Sequence, residues 1–249
     1  MEYEEKDRAV GAYSYLEKNL AFIRSEMREA ERRSGRKMGE TRLLAAVKSA
    51  TTEEINYLTQ MLGVKDIGEN RVQQLLARYD ALEKDGVRIH FIGGLQKNKV
   101  KYIIDKVDVI HSVDSVELAR EIEKRAAAIN RTVDVYVEIN SGREENKGGF
   151  LPEEAASAAL EIVKLPHVRL LGFMTMAPKC ENSTDYYKYF SLTKSIAEEV
   201  FRVTLGRTEH PLLSMGMSES FTEAIEEGAS VVRVGRQLFK RPEPDYGTI

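Results

Sequence analysis

The sequence has only one cysteine, Cys180, among 249 residues. A single cysteine excludes an intramolecular disulfide and any zinc site that needs several cysteines. No apolar run approaches the roughly 20 residues that cross a bilayer. The charged N-terminal stretch, residues 1–6, also lacks the apolar segment of a signal peptide. These absences predict a cytoplasmic protein that does not enter a membrane.

An excess of one charge sign is also missing. The chain carries 37 Lys and Arg against 40 Asp and Glu, a formal net charge of -3. This balance argues against nucleic-acid binding driven by bulk charge. The sequence shows no internal repeat, no low-complexity segment and no Pro/Gly/Ser-rich linker. We therefore expect a single domain over residues 1–249, a length that suits one large core.

From residue 43 onward, strand-like and helix-like segments alternate. The predicted strands are 43–47, 64–67, 89–92, 109–111, 133–139, 168–174, 212–214 and 231–234. The predicted helices are 53–62, 70–83, 96–105, 115–129, 152–164, 185–205 and 218–227. This pattern predicts an α/β fold, a single (β/α)8 TIM barrel over about 43–240. An open doubly wound sheet is the alternative, but no G-x-G-x-x-G fingerprint follows the first strand.

A helix is predicted before the barrel, over residues 7–34. Apolar residues recur there at spacings of three and four, while charged residues fill the other face. The stripe consists of Ala9, Tyr13, Leu16, Leu20, Ile23 and Met27. We expect this extra helix to pack on the outside of the barrel.

Lys48 follows the first apolar run directly. Thr51 and Glu54 come next at capping-box spacing, so a helix is expected to begin there. In parallel α/β folds, ligands bind at the carboxyl ends of the strands. A lysine held there against apolar walls would lose hydration, its pKa would fall, and its free amine could condense with an aldehyde. The alternative is a lysine that extends to the rim of the sheet.

Polar and glycine residues gather where the predicted strands stop, and in a barrel they would surround one mouth. The clusters after strands seven and eight are the more specific, because barrels often bind phosphate there. Ser214 and Ser218 offer hydroxyl donors, and Gly216 and Gly235 allow backbone N–H groups to approach an anion. A helix beginning near Ser218 would add its positive end. A plain N-cap is the alternative for Ser218.

Arg233 lies inside the apolar run 231–234. Because side chains alternate along a strand, its side chain is expected on the opposite face from those of Val232 and Val234. A buried arginine needs a partner. That partner is either Glu138 or a ligand atom, such as a heteroaromatic nitrogen or a phosphate. His90 and His111 lack a third ligand at metal spacing, which favours core histidines over a metal site. The loop 143–150 is either solvated or closes over a ligand through Lys147.

Several blocks, in this order, resemble the pyridoxal phosphate (PLP) homeostasis protein family, a single-domain relative of the alanine racemase N-terminal barrel. The His-Phe-Ile-Gly and Ser-Met-Gly-Met-Ser blocks are the most specific. The matching blocks are 43–48, 68–73, 90–99, 137–148, 172–174, 213–218 and 232–235.

The resemblance implies that Lys48 holds PLP as a Schiff base. It also implies that Ser214, Ser218, Gly235 and neighbouring backbone hold the phosphate. Arg233 would face the pyridine nitrogen and weaken the ring as an electron sink. The cofactor-binding set implied in this way is Lys48, Asn70, Ser214, Gly216, Met217, Ser218, Arg233 and Gly235.

The same resemblance implies PLP homeostasis and delivery, without established turnover, by a monomer. Its partners would be PLP, amino acids and apo forms of PLP-dependent enzymes. The sequence departs from the family at Ala50, where a second lysine is usual, and at Arg236, where a threonine would donate to the phosphate. Alanine racemases add a second domain with a tyrosine base, and this chain lacks the room for one. A PLP enzyme, such as a weak racemase or a decarboxylase, and a barrel for another phosphorylated metabolite remain the alternatives.

Overall fold

Eight parallel strands close into a barrel in chain order. The computed structural model describes residue 11 and residues 13–242. The strands are β1 (Arg42–Ala46), β2 (Asp66–Glu69), β3 (Arg88–Phe91), β4 (Val109–Val113), β5 (Val133–Ile139), β6 (Val168–Thr175), β7 (Leu212–Ser214) and β8 (Val231–Val234). β1 pairs in parallel with both β2 and β8, which closes the sheet. The predicted TIM barrel is confirmed, and the open sheet is excluded.

One helix precedes β1, and the others lie in the connections between the strands. They are α1 (Ser14–Arg33), α2 (Thr52–Asn56), α3 (Val72–Arg78), α4 (Val116–Ala128), α5 (Ala155–Ile162), α6 (Tyr186–Glu199) and α7 (Phe221–Glu226). The predicted helix 96–105 is wrong in type, because the chain forms a 3₁₀ helix over Lys97–Tyr102. Only Val100 of that run is buried, so no apolar stripe holds a longer α-helix against the barrel.

The second strand is displaced from its predicted position. Apolar residues placed it at 64–67, whereas pairing with β1 joins Leu44 to Asp66 and Ala46 to Gly68. The displacement arises because the barrel interior is polar: β2 begins with Asp66, which is buried there and only 8% exposed. A prediction based on apolar runs therefore shifts this strand toward the N-terminus.

The outward face of the sheet supplies the apolar core. On β5, Val133, Val135 and Val137 belong to the large cluster beneath the helices, whereas Tyr136 belongs to a small separate cluster. Because side chains alternate along a strand, Asp134, Tyr136 and Glu138 share the opposite, inward face. The barrel interior therefore carries ionisable side chains at several levels.

α1 packs outside the barrel, as predicted for the helix at 7–34, although it spans residues 14–33. Its buried stripe of Leu16, Leu20, Ile23 and Met27 faces the core, and α1 contacts α7. The Asn19 amide donates to the backbone carbonyls of Leu238 and Lys240, at 3.0 and 2.9 Å. Residues 7–10 and 12 of the predicted helix lie outside the described residues. Within the described part of the chain, no helix is long and apolar enough to cross a membrane.

Candidate functional site

One cavity opens at the carboxyl ends of the strands, with a volume of about 290 Å³. It collects six of the eight predicted cofactor-binding residues, although they come from the ends of four different strands. They are Lys48, Asn70, Met217, Ser218, Arg233 and Gly235. A larger groove of about 460 Å³ lies between α1 and the other end of the barrel, and none of the predicted residues line it.

Lys48 stands two residues beyond β1, on the rim of this cavity. The residue is exposed, so the expected apolar walls do not surround it. Its backbone is held firmly, because the Gln74 amide donates to the Lys48 carbonyl at 2.8 Å. Arg78 donates to the carbonyls of Val47 and Ala50, at 3.1 and 2.9 Å. The position of the lysine is therefore fixed from both sides, while its side chain stays accessible.

Gly235 brings the end of β8 against the end of β1. A Cβ atom at this position would lie 2.6 Å from the Ala46 carbonyl oxygen, which is backbone and cannot move aside easily. Only glycine fits this close approach. The absence of a side chain also leaves backbone accessible to a ligand beside Lys48.

Two buried oxygen atoms near the cavity have no hydrogen-bond partner among the described residues. They are Oδ1 of Asn70, which lines the cavity, and Oε1 of Gln237. Buried polar atoms are nearly always satisfied in native proteins. The Asn70 oxygen therefore suits a ligand that carries a donor group.

Ser218 lines the cavity, and its hydroxyl accepts from the Gln237 backbone N–H at 3.3 Å. The plain N-cap interpretation is wrong, because α7 begins only at Phe221 and Ser220 occupies the N-cap position. The hydroxyl hydrogen of Ser218 is left for a ligand.

Ser214 and Gly216 are not among the cavity-lining residues. The Ser214 hydroxyl is fully buried between His111 Nδ1 at 2.8 Å and Arg233 Nη1 at 2.7 Å. Gly216, at φ 88°, packs against α7, where an added Cβ would lie 2.5 Å from the Ala224 Cβ. Its carbonyl accepts from the Arg233 backbone N–H at 3.0 Å. Both residues support Arg233, so the geometry does not favour direct contact with a phosphate.

Arg233 reaches the cavity from inside the barrel and is only 4% exposed. Its Nη2 donates to the Thr175 carbonyl at 2.9 Å. No carboxylate of the described residues lies within 4.0 Å, so the predicted partner Glu138 does not form a direct ion pair. Burial lowers the pKa of Arg233 to about 10, and the nearby Glu138 carboxyl opposes that shift. The guanidinium therefore remains charged at neutral pH, with donors available to a ligand.

Glu138 is a buried carboxyl on the inward face of β5, 7% exposed. Burial raises its pKa to about 7, and Arg233 only partly opposes this shift. Because the folded-state pKa lies above the unfolded value, Glu138 favours folding below about pH 4.5. That contribution is lost as the pH rises through about 7.

We therefore expect Glu138→Gln to flatten the pH dependence of stability. Wild-type stability should fall between about pH 4.5 and 8 by up to about 3 kcal/mol relative to the variant, because only the wild type must ionise a buried group. Urea unfolding at several pH values measures this difference. Parallel pH profiles for the two proteins would contradict the assigned shift.

His90 and His111 form a buried pair in the barrel interior. His90 Nδ1 lies 2.8 Å from His111 Nε2, and His90 Nε2 lies 2.8 Å from Asp66 Oδ1. All four ring nitrogens of the pair are engaged, since His111 Nδ1 also contacts Ser214. Sequence reasoning missed Asp66, although an acidic residue inside a predicted buried strand was a signal for it.

The rim of the cavity is basic. Lys147, Lys179 and Arg236 line it, which favours an anionic ligand. The loop that carries Lys147 is shaped by Asn140, whose Oδ1 accepts from the Glu144 N–H at 3.0 Å. Arg236, at the position of the family's threonine, pairs with Glu219 on the same rim.

Comparisons with known proteins agree with this geometry. The family model described as "Alanine racemase, N-terminal domain" matches residues 19–242. The "Pyridoxal phosphate homeostasis protein" of Aquifex aeolicus is 43% identical over 223 residues, 88% of this chain and 95% of that protein. A solved structure of a protein from Bifidobacterium adolescentis has a TM-score of 0.83 and 32% identity, covering 91% of this chain and 95% of the other.

A structure of PipY from Synechococcus elongatus with PLP bound is also similar. Its TM-score is 0.78 and its identity 26%, and the match covers 90% of this chain and all of PipY. The closed barrel and the family are those expected from the sequence. The chain therefore belongs to the alanine racemase N-terminal domain family and, within it, to the pyridoxal phosphate homeostasis proteins.

Proposed function

We propose that this chain binds PLP in the cavity at the carboxyl end of the barrel, with Lys48 as the attachment point, and serves PLP homeostasis. One observation carries the proposal: a single cavity joins an accessible lysine, a buried arginine and a close backbone approach at Gly235. The relative from Aquifex aeolicus and the PLP-bound PipY structure support it.

The residues present fit PLP. When bound, PLP supplies an aldehyde that forms a C=N linkage to a lysine amine, and a ring that withdraws electrons. Lys48 would form that linkage, and Ser218 and Gly235 would hold the phosphate together with neighbouring backbone N–H groups. The Oδ1 of Asn70, which has no partner among the described residues, would accept from a ligand hydroxyl.

Arg233 would face the pyridine nitrogen. A guanidinium only donates hydrogen bonds, so it leaves the nitrogen without a proton. An unprotonated nitrogen weakens the ring as an electron sink, which suits holding and delivering PLP more than turnover. Ser214 and Gly216 would hold Arg233 in place through their hydrogen bonds to it.

Titration of the purified protein with PLP tests the proposal. We expect an absorption band at about 420 nm and, after borohydride reduction, a mass increase of one phosphopyridoxyl group per chain. Without the band and the mass increase, the site would belong to another phosphorylated metabolite. Single amino acids should shift the spectrum without sustained product formation, and continuous turnover would favour a PLP enzyme instead.

The proposal extends to the proteins that receive PLP and to the place where this protein acts. Apo forms of PLP-dependent enzymes are the proposed recipients, and the protein is proposed to act as a cytoplasmic monomer. Mixing the PLP-loaded protein with an apo-enzyme in the presence of a PLP trap distinguishes direct transfer from release into solution. Activation of the apo-enzyme despite the trap is the expected result.

A further inference from the structure

A continuous line of buried side chains crosses the inside of the barrel from Arg233 to Asp66. Arg233 Nη1 lies 2.7 Å from Ser214 Oγ, and Ser214 Oγ lies 2.8 Å from His111 Nδ1. His111 Nε2 lies 2.8 Å from His90 Nδ1, and His90 Nε2 lies 2.8 Å from Asp66 Oδ1. Each of the five residues is at most 8% exposed. The line joins five different strands, β8, β7, β4, β3 and β2.

The residues at the two ends of this line, Arg233 and Asp66, determine the direction of the hydrogen bonds between them. Arg233 can only donate, so the Ser214 oxygen accepts from it. At the other end, burial would raise the pKa of Asp66, but the hydrogen bond from His90 and the nearby positive charges lower it on balance. The ionised carboxylate can only accept, so His90 carries its proton on Nε2.

The two imidazoles are neutral in this environment. Burial lowers the pKa of His90, although Asp66 opposes that shift. Burial also lowers the pKa of His111 well below its ordinary value, and the neighbouring His90 and Arg233 add to this effect. A neutral His90 with its proton on Nε2 accepts at Nδ1, so His111 donates from Nε2 and accepts at Nδ1 from the Ser214 hydroxyl.

All the donors therefore point the same way, from Arg233 toward Asp66. Aligned hydrogen bonds polarise one another and strengthen as a chain, especially where water is excluded. Arg233 and Asp66 act as the two ends of an ion pair that is spread over three neutral residues. This arrangement also uses the only proton of the Ser214 hydroxyl, which explains why Ser214 is unsuited to donate to a phosphate.

We propose that Asp66, His90, His111 and Ser214 are positioning residues that hold the Arg233 guanidinium against the cofactor cavity. The inference rests on the proposed function for the identity of the ligand, but the hydrogen-bond pattern itself does not. None of Asp66, His90 and His111 lines the cavity. An effect of these residues on the ligand must therefore pass through Arg233.

Nitrogen-15 NMR of the histidine-labelled protein tests the pattern directly. The chain has 4 histidines, and His167 and His210 lie outside the line and serve as internal references. We expect His90 and His111 to be neutral, with the proton on Nε2, at about pH 7–8. A charged ring, or a proton on Nδ1 of either residue, would overturn the proposal.

Adding PLP in the same experiment tests the coupling. We expect the signals of His90 and His111 to shift while those of His167 and His210 stay in place. PLP binding that leaves all four histidines unchanged would overturn the positioning role. Failure of PLP to bind would instead refute the proposed function, and the tautomer result would still stand.

A pair of matched variants tests the distant end of the line. Asp66→Leu removes the acceptor from His90, and we expect PLP affinity to fall about tenfold. Asp134→Leu removes an equally buried negative charge that pairs with Arg88 and Arg169 instead, and we expect affinity within about twofold of the wild type. Equal losses in both variants, or no loss in Asp66→Leu, would contradict the proposal. If Asp66→Leu fails to fold, the NMR measurements on the wild type still decide it.

Discussion

Replacing Lys48 by alanine is expected to abolish covalent attachment of PLP. Lys48 is accessible on the rim of the cavity, beside the close backbone approach of Gly235. Without its amine, no C=N linkage can form at this position. Intact-mass measurement after borohydride reduction should show no added mass, and the band at about 420 nm should disappear.

Lys179→Ala provides the matched control. Lys179 lines the same cavity and its removal changes the charge by the same amount. We expect this variant to keep both the added mass and the absorption band. Retention of the band in Lys48→Ala, together with its loss in Lys179→Ala, would assign the attachment point to Lys179.

Arg78→Met is expected to destabilise the fold by about 3–5 kcal/mol. Arg78 and Glu69 form an ion pair that is 8% and 0% exposed, with Arg78 Nε at 2.6 Å from Glu69 Oε1. Removing the guanidinium leaves an unpaired carboxylate in a site where burial already raises the pKa of Glu69. The variant also loses the donors to the carbonyls of Val47 and Ala50, so the segment that carries Lys48 becomes less ordered.

Urea unfolding measures this loss, and two further variants locate its origin. Arg88→Met breaks an ion pair with Asp134 in which the arginine is 38% exposed, and its cost should stay below about 1 kcal/mol. Adding Glu69→Gln to Arg78→Met removes the unpaired carboxylate of Glu69 and should recover part of the free energy of unfolding. Equal losses for Arg78→Met and Arg88→Met would show that burial does not control the strength of these pairs.

The fold was predictable because the outward face of the sheet is apolar. Runs such as 133–139 and 231–234 identify strands whose outward residues pack beneath the helices, and both were placed correctly. The inward face of the sheet is polar by contrast, since it carries Asp66, His90 and Arg233. That polarity displaced the predicted second strand, because a search for apolar residues passes over an aspartate that is buried through its hydrogen bonds.

The site was predictable to the extent that it depends on strand ends. Lys48, Asn70, Ser218 and Gly235 lie within four residues of the ends of their strands, and the closed barrel brings them to one cavity. The orientation of a hydroxyl inside the barrel depends on neighbours that are far away in the sequence, and no local pattern reports it. For that reason the partners of Ser214, and the hydrogen bonds from Arg78 to the segment after β1, became visible only in three dimensions.

The pairing of β1 with β8 has a consequence for biosynthesis. Lys48 leaves the ribosome early, whereas Gly235, which packs against Ala46 beside it, emerges only after the other seven strands. Contacts between such distant parts of a chain form late in folding, because a long loop must close before they can be made. The candidate cavity is therefore complete only after translation has passed β8, and a nascent chain carries Lys48 long before the rest of the site exists.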